Sequence, residues 1–191
     1  MDEWNANERA DADRAWTVRE REVAYRCPGF DVRHEEVTLP DGTETDYDYV
    51  DEPRAVVILP FTAADEVVVI EEWRQAVGRL NRGLPAGTVE DEDASLAAAA
   101  RRELREETGY VADRVEPLVT VEPANGVTNA VHHVFVAYGC RPGEGQALDA
   151  DERIRVETTT FAALRRAALA DELRDGRAML AVCRYALETV E

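Results

Sequence analysis

Two continuous apolar runs stand close together in this chain, Ala55-Val56-Val57-Ile58-Leu59-Pro60 and Val67-Val68-Val69-Ile70, with Asp65-Glu66 between them as a turn. Short runs without polar alternation are typical of strands buried on both faces. Upstream the texture differs. From Thr17 to about Asp51 apolar residues alternate with polar ones: Val23 and Tyr25, Phe30 and Val32, Val37 and Leu39, then Tyr47 and Tyr49. That pattern predicts antiparallel strands with a hairpin at Pro40-Asp41-Gly42. Such a small sheet is weak alone and needs another surface, either the main body or a second subunit. The change at Pro53 therefore divides the chain into an N-terminal segment, 1–52, and a main domain, 53–191.

With 191 residues there is room for one sizeable core and a modest extra segment. Residues 1–16 are polar and are expected to be frayed or a short helix, with Trp4 and Trp16 either covering a dimer contact or frayed with it. A loop with Gly78, Asn81 and Gly83 leads to Leu84-Pro85-Ala86-Gly87. A helix is expected from about Ser95 to Thr108, stopped by Gly109 as a left-handed cap. Strands are expected near Val115–Val121, Val131–Tyr138 and Arg153–Thr159, and closing helices over 161–173 and 177–189.

Charge narrows the function. The net charge is −18, and all 22 basic residues are arginine. A surface this acidic repels nucleic acid phosphates. It suits a host with a salty cytoplasm, where screening tolerates self-repulsion; a GC-rich genome, which favours Arg codons over Lys codons, is the alternative source. No apolar run reaches membrane-spanning length and no secretory leader pattern opens the chain, so a cytoplasmic protein is expected. Cys27, Cys140 and Cys183 lack paired spacing, which fits reduced structural thiols. His132 and His133 share one strand, must face opposite ways, and lack zinc-ligand spacing.

The decisive segment is GTVEDEDASLAAAARRELREETGY, Gly87–Tyr110. At helical periodicity Glu103 and Glu107 fall within about 40° of each other, with Glu106 flanking them. Ala100 and Leu104 lie beside that stripe; Arg101 and Arg105 point to the opposite side. Like charges at this spacing repel by roughly 0.2–0.5 kcal/mol even when exposed, and burial raises the cost unless a cation neutralises them. Converging carboxylates suit a hard oxygen-seeking ion such as Mg²⁺ or Mn²⁺. A solvated face with pairs such as Arg102–Glu106 is the alternative. The Pro-Gly turn before the helix favours the ion, because it offers backbone carbonyls and amides beside the acids.

Arg102-Glu103-Leu104-Arg105-Glu106-Glu107-Thr108-Gly109-Tyr110 resembles the second half of the Nudix box, REUXEEXGU with U bulky and apolar. Gly87 looks like the opening glycine of that box. Leu84-Pro85-Ala86-Gly87 and Glu71-Glu72-Trp73-Arg74-Gln75 are similar to segments of the ADP-ribose pyrophosphatase branch, and the likeness runs from about Arg54 to Glu157. Three positions depart from the pattern. The box expects a Glu six residues after its first Gly, where Asp93 stands, and eight rather than seven residues separate Asp93 from Arg102. Either the loop is one residue longer, or Glu92 or Asp93 fills the role on a shifted backbone. Gly83 stands where the branch often has Glu, and Asn125 where it often has Pro, which weakens the substrate inference rather than the reaction class.

The resemblance implies an α+β (α/β) fold, an α/β/α sandwich with a mixed central sheet, beside the small N-terminal sheet. It implies Mg²⁺-dependent hydrolysis of the diphosphate in a nucleoside diphosphate derivative, with ADP-ribose cut to AMP and ribose 5-phosphate as the leading substrate. Another nucleoside diphosphate sugar or a dinucleotide is the rival, and an inactive nucleotide-binding sensor or a scaffold is the reading of a different class. Metal ligands would be Glu103, Glu106, Glu107 and the Ala86 carbonyl. Gly87, Arg102, Asp93 and Gly109 would shape the site. The general base would come from the loop 143–153, with Glu152 matching the family position best and Glu144, Asp149 and Asp151 behind it; failing these, Glu106 would serve. Arg74 and Arg54 would touch substrate. A homodimer built through residues 17–51 is also implied.

Overall fold

The structure, a computed structural model, describes residues 13–148, 150 and 152–189. Part of the expectation for residues 1–16, together with Trp4, Asp149 and Asp151, lies outside them. The chain divides into two compact units, with the boundary between Glu52 and Pro53, and the segment Ala124–Ala130 belongs to the first unit. That segment is the departure from a simple division at Pro53.

In the first unit β1 (Thr17–Arg26), β2 (Asp31–Thr38) and β3 (Glu44–Asp51) form an antiparallel sheet in that order. The β2–β3 turn is closed by Gly42, at φ 85°, donating to the Leu39 carbonyl, and by the Thr43 amide donating to the Asp41 carboxylate. Within these three strands only Val37 and Glu35 are buried, and Glu35 accepts from Arg21 and from the Tyr49 hydroxyl. The Ala124–Ala130 segment is tied to β3: Val50 donates to the Val127 carbonyl, and the Asn129 amide bonds the Asp51 carboxylate. Trp16 stands edge-on to Tyr47.

The second unit holds a mixed sheet of eight strands among the described residues. These are β4 (Ala55–Thr62), β5 (Glu66–Arg74), β6 (Arg79–Gly83), β7 (Ala86–Thr88), β8 (Tyr110–Val111), β9 (Arg114–Val121), β10 (His132–Pro142) and β11 (Ile154–Thr160). The central order is β11-β5-β4-β10-β8, with β6 on β5, β7 on β4 and β9 on β10. β4 and β10 run parallel, whereas the other pairs are antiparallel. The helices are α1 (Leu96–Thr108), α2 (Phe161–Leu169) and α3 (Gly176–Thr189).

Alternation along β4 explains the unbroken apolar run. Val57, Leu59 and Phe61 join a core with Val67, Val69, Leu164, Ala181 and Val182 under α2 and α3. Val56 and Ile58 join Ala99, Ala100 and Leu104 of α1 on the other face. The inner β4 side chains on both faces therefore have a helix to bury against, and full burial of Leu104 alone contributes roughly 1.5–3 kcal/mol. The expected sandwich with a mixed sheet is what is observed.

Two local expectations need correction. The stretch expected as loop between residues 78 and 87 contains β6 and β7, because β5 and β4 offer edges on which it pairs. The helix expected over 161–173 ends at Leu169; Asp171 takes a left-handed conformation at φ 58°, and the Leu173 side chain turns back into the core. Among the described residues no helix is long and apolar enough to cross a membrane.

Candidate active site

Helix α1 begins at Ser95, whose hydroxyl accepts from the Ala98 amide at 3.1 Å, and ends at Gly109, at φ 73°. Both ends follow standard capping chemistry. Small Ala99 and Ala100 let the helix lie close on the sheet, and this places the next turns beside β7. Glu103 and Glu107 are 9% and 4% exposed, whereas Arg101 and Arg105 face solvent.

The Glu107 carboxylate accepts from the Ala86 amide at 2.9 Å in a buried contact. Burial pushes its pKa up to about 8; the Ala86 bond opposes this, and the charges of Glu103, Glu152 and Glu72 add to it. Glu103 is raised by burial too, against the pull of Arg102, with Glu106 and Glu152 adding. Glu152 is therefore near enough for its charge to be felt at both buried carboxylates. Glu72, which sequence reasoning did not single out, is felt at Glu107. Its signal lay in β5: Val67 and Val69 point to the α2–α3 core, so Val68, Ile70 and Glu72 face the other side.

Arg102 organises the approach. Its guanidinium donates to the Thr88 carbonyl at 2.8 Å, to both Asp93 oxygens at 2.9 and 3.2 Å, to Glu103 at 2.8 Å and to Glu106 at 3.0 Å. The Asp93 carboxyl is held below its usual range, first by Arg102 and then by the Glu90 amide, which donates to it at 2.9 Å. It is Asp93, rather than Glu92, that meets Arg102. Glu106 also pairs with Arg105 at 3.1 Å. Gly87 is required for room, since a β-carbon there would fall within the Glu103 carboxylate.

The other expected residues sit as follows. Arg74 pairs with Glu72 at 2.9 Å and lines a cavity of about 350 Å³ with Arg79, Arg174 and Arg177. Arg54 is exposed; its carbonyl accepts from the Val89 amide at 2.8 Å, and its charge adds to burial in lowering the His133 pKa. His132 and His133 do face opposite ways: His132 lines a cavity of about 590 Å³ with Val57 and Val134, and His133 bonds Thr120 at 3.0 Å. Glu144 is an exposed loop residue. Among the described residues no three His, Cys, Asp or Glu side chains are gathered as a ready ion site. Arg102 instead stands between Glu103 and Glu106. The donor set still fits a hard divalent cation, because two buried carboxylates resist ionisation unless positive charge joins them.

A family model for the NUDIX domain matches residues 51–181. The chain belongs to the Nudix family. It is 29% identical over 142 residues to an ADP-ribose pyrophosphatase of Bacillus subtilis (strain 168), covering 74% of this chain and 76% of that one. It is 33% identical over 120 residues to a methanol dehydrogenase activator of Bacillus methanolicus, covering 62% of this chain. The chain spans only 64% of that relative's length. A solved structure of an ADP compounds hydrolase superposes with a TM-score of 0.79 at 22% identity, over 91% of this chain and 93% of that one. At that identity it speaks for the fold. The likeness to the ADP-ribose pyrophosphatase branch is upheld, and the family match together with the Bacillus subtilis relative supports a Nudix pyrophosphohydrolase.

Proposed function

We propose that this Nudix chain hydrolyses the diphosphate of a nucleoside diphosphate derivative in a Mg²⁺-dependent reaction, with ADP-ribose yielding AMP and ribose 5-phosphate. The observation that carries the reading is the buried pair Glu103 and Glu107 beside Ala86 and Gly87 of β7. Mutually repelling carboxylates at low exposure are costly to keep, and a catalytic cation gives them a use. When bound, a divalent cation supplies charge neutralisation to the diphosphate oxygens and activation of water.

Glu103 and Glu107, with Glu106 and the Ala86 carbonyl, would hold that cation. Mn²⁺ suits the same oxygens. Arg102 and Asp93 brace the loop that follows β7, while Gly87 leaves room for the Glu103 carboxylate and Gly109 for the close approach of Gly145. Glu152, whose charge reaches both buried carboxylates, takes the proton from the attacking water. Water oxygen bonds to phosphorus, and the bridging oxygen leaves with the other half. Glu106 is the alternative base. Arg74 and Arg54 are assigned to the substrate's anionic groups.

The test is a panel of ADP-ribose, sugar nucleotides, NADH and deoxynucleoside triphosphates with Mg²⁺, at low and high salt. Release of AMP from ADP-ribose in preference to the rest is expected. Tight ADP-ribose binding with no Mg²⁺-dependent product would point instead to a sensor. We also assign residues 17–51 to a homodimer contact, on the resemblance and on exposed Val18, Tyr25 and Phe30 in that unit. Sedimentation at high salt giving a monomer would overturn it.

A further inference from the structure

Helix α1 leaves its last carbonyls without partners of their own, as every helix does. Here the β10–β11 loop supplies them. Gly143 donates to the Gly109 carbonyl at 2.7 Å, and Ala147 donates to the Glu106 carbonyl at 2.9 Å. Gly145 lies so close that a β-carbon on Gly109 would stand 2.8 Å from its carbonyl carbon. The Glu107 carbonyl is taken by a side chain: the Gln146 amide nitrogen donates to it at 2.7 Å. The same nitrogen donates to the Ile154 carbonyl at 3.2 Å.

A primary amide has two hydrogens, and Gln146 uses one on each carbonyl. One prong holds the residue whose carboxylate is the most buried in the site. The other holds the start of β11, two residues after Glu152 and opposite Glu72 in register. We infer that Gln146 is a positioning residue that sets the distance between the Glu152 carboxylate and the Glu103–Glu107 pair. It touches no reacting atom. This rests on the reading of Glu152 as general base.

The argument turns on what the side chain adds to the backbone contacts. Gly143 and Ala147 already dock the loop on the helix. Neither reaches β11. Gln146 alone among these contacts ties both ends of the segment that carries Glu152, so its loss leaves the fold intact and the base less well placed. Misplacement by about an ångström is enough to cost orders of magnitude in rate.

The experiment is a double-mutant cycle on the full chain, with AMP release from ADP-ribose and Mg²⁺ as readout. Gln146→Met keeps length and removes both donors; Gln146→Ala repeats the test with a smaller side chain should Met impair folding. Either is expected to lower kcat about tenfold with KM changed by less than about twofold. Combined with Glu152→Gln, neither is expected to slow the reaction further. Unchanged kcat in the Gln146 variants, a rise in KM alone, or effects that multiply with Glu152→Gln would overturn the assignment. Wild-type turnover in Glu152→Gln would instead remove Glu152 as the base, and the positioning role with it.

Discussion

A β-carbon on Gly87 would fall within the carboxylate of Glu103. The glycine that opens the box and the glutamate sixteen residues further along the chain are thus one packing unit, in which the absent side chain makes room for the charged one. Gly87→Ala is expected to displace Glu103 and lower turnover by at least about 10²-fold, the scale of a lost charge-stabilising group. Thermal unfolding should change less than turnover, because the clash falls on the Glu103 side chain rather than on backbone. Steady-state rates beside a melting curve check both.

Glu106→Gln and Glu107→Gln are each expected to lower turnover by at least about 10²-fold with little unfolding. Wild-type-like rates in both would remove the basis of the proposed reaction.

Glu107 also carries a pH signature. Its ordinary value is 4.5 and in the fold it stands at about 8. Below the ordinary value both folded and unfolded chains are protonated, and the stabilising contribution is complete. Between the two values the unfolded chain releases the proton while the fold retains it, so the metal-free protein loses stability as pH rises toward about 8. Glu107→Gln should therefore raise metal-free stability by roughly 1–3 kcal/mol at alkaline pH and by little at acid pH. Denaturant titrations without divalent ions at both pH values measure it.

Arg102→Lys is expected to destabilise the chain by about 1–3 kcal/mol, since an ammonium cannot span the Thr88 carbonyl, Asp93, Glu103 and Glu106 together. Asp93→Asn should reproduce part of that loss. Equal melting temperatures for all three proteins would show that the brace is not structural.

Cys140 is 2% exposed, and burial, with Asp113 adding, pushes its thiol up to about 12. Cys183 is exposed. Alkylation of the native protein should modify Cys183 rapidly and Cys140 only after unfolding. Mass spectrometry of labelled peptides reads the order.

Much of this molecule is legible in its sequence. The doubly buried strands follow from unbroken apolar runs, and the α1 boundaries from Ser95 and Gly109, because those signals are local: side-chain period and cap chemistry act within a few residues. The stripe of Glu103 and Glu107 is local for the same reason. β6 and β7 were not legible, since Arg79–Gly83 and Ala86–Thr88 become strands only by pairing with β5 and β4. The end of α2 at Leu169 was missed because tertiary packing, not propensity, draws Leu173 inward.

By itself the chain determined a helix with acids on its buried edge, and the family to which that helix belongs. Only the tertiary structure decided that Asp93 rather than Glu92 braces Arg102, that Glu72 and Glu152 share the field of Glu107, and that Gln146 bridges helix and strand. The physical reason is range. Periodicity is written in neighbouring residues, whereas Coulomb forces and hydrogen bonds act across whatever distance the fold has closed.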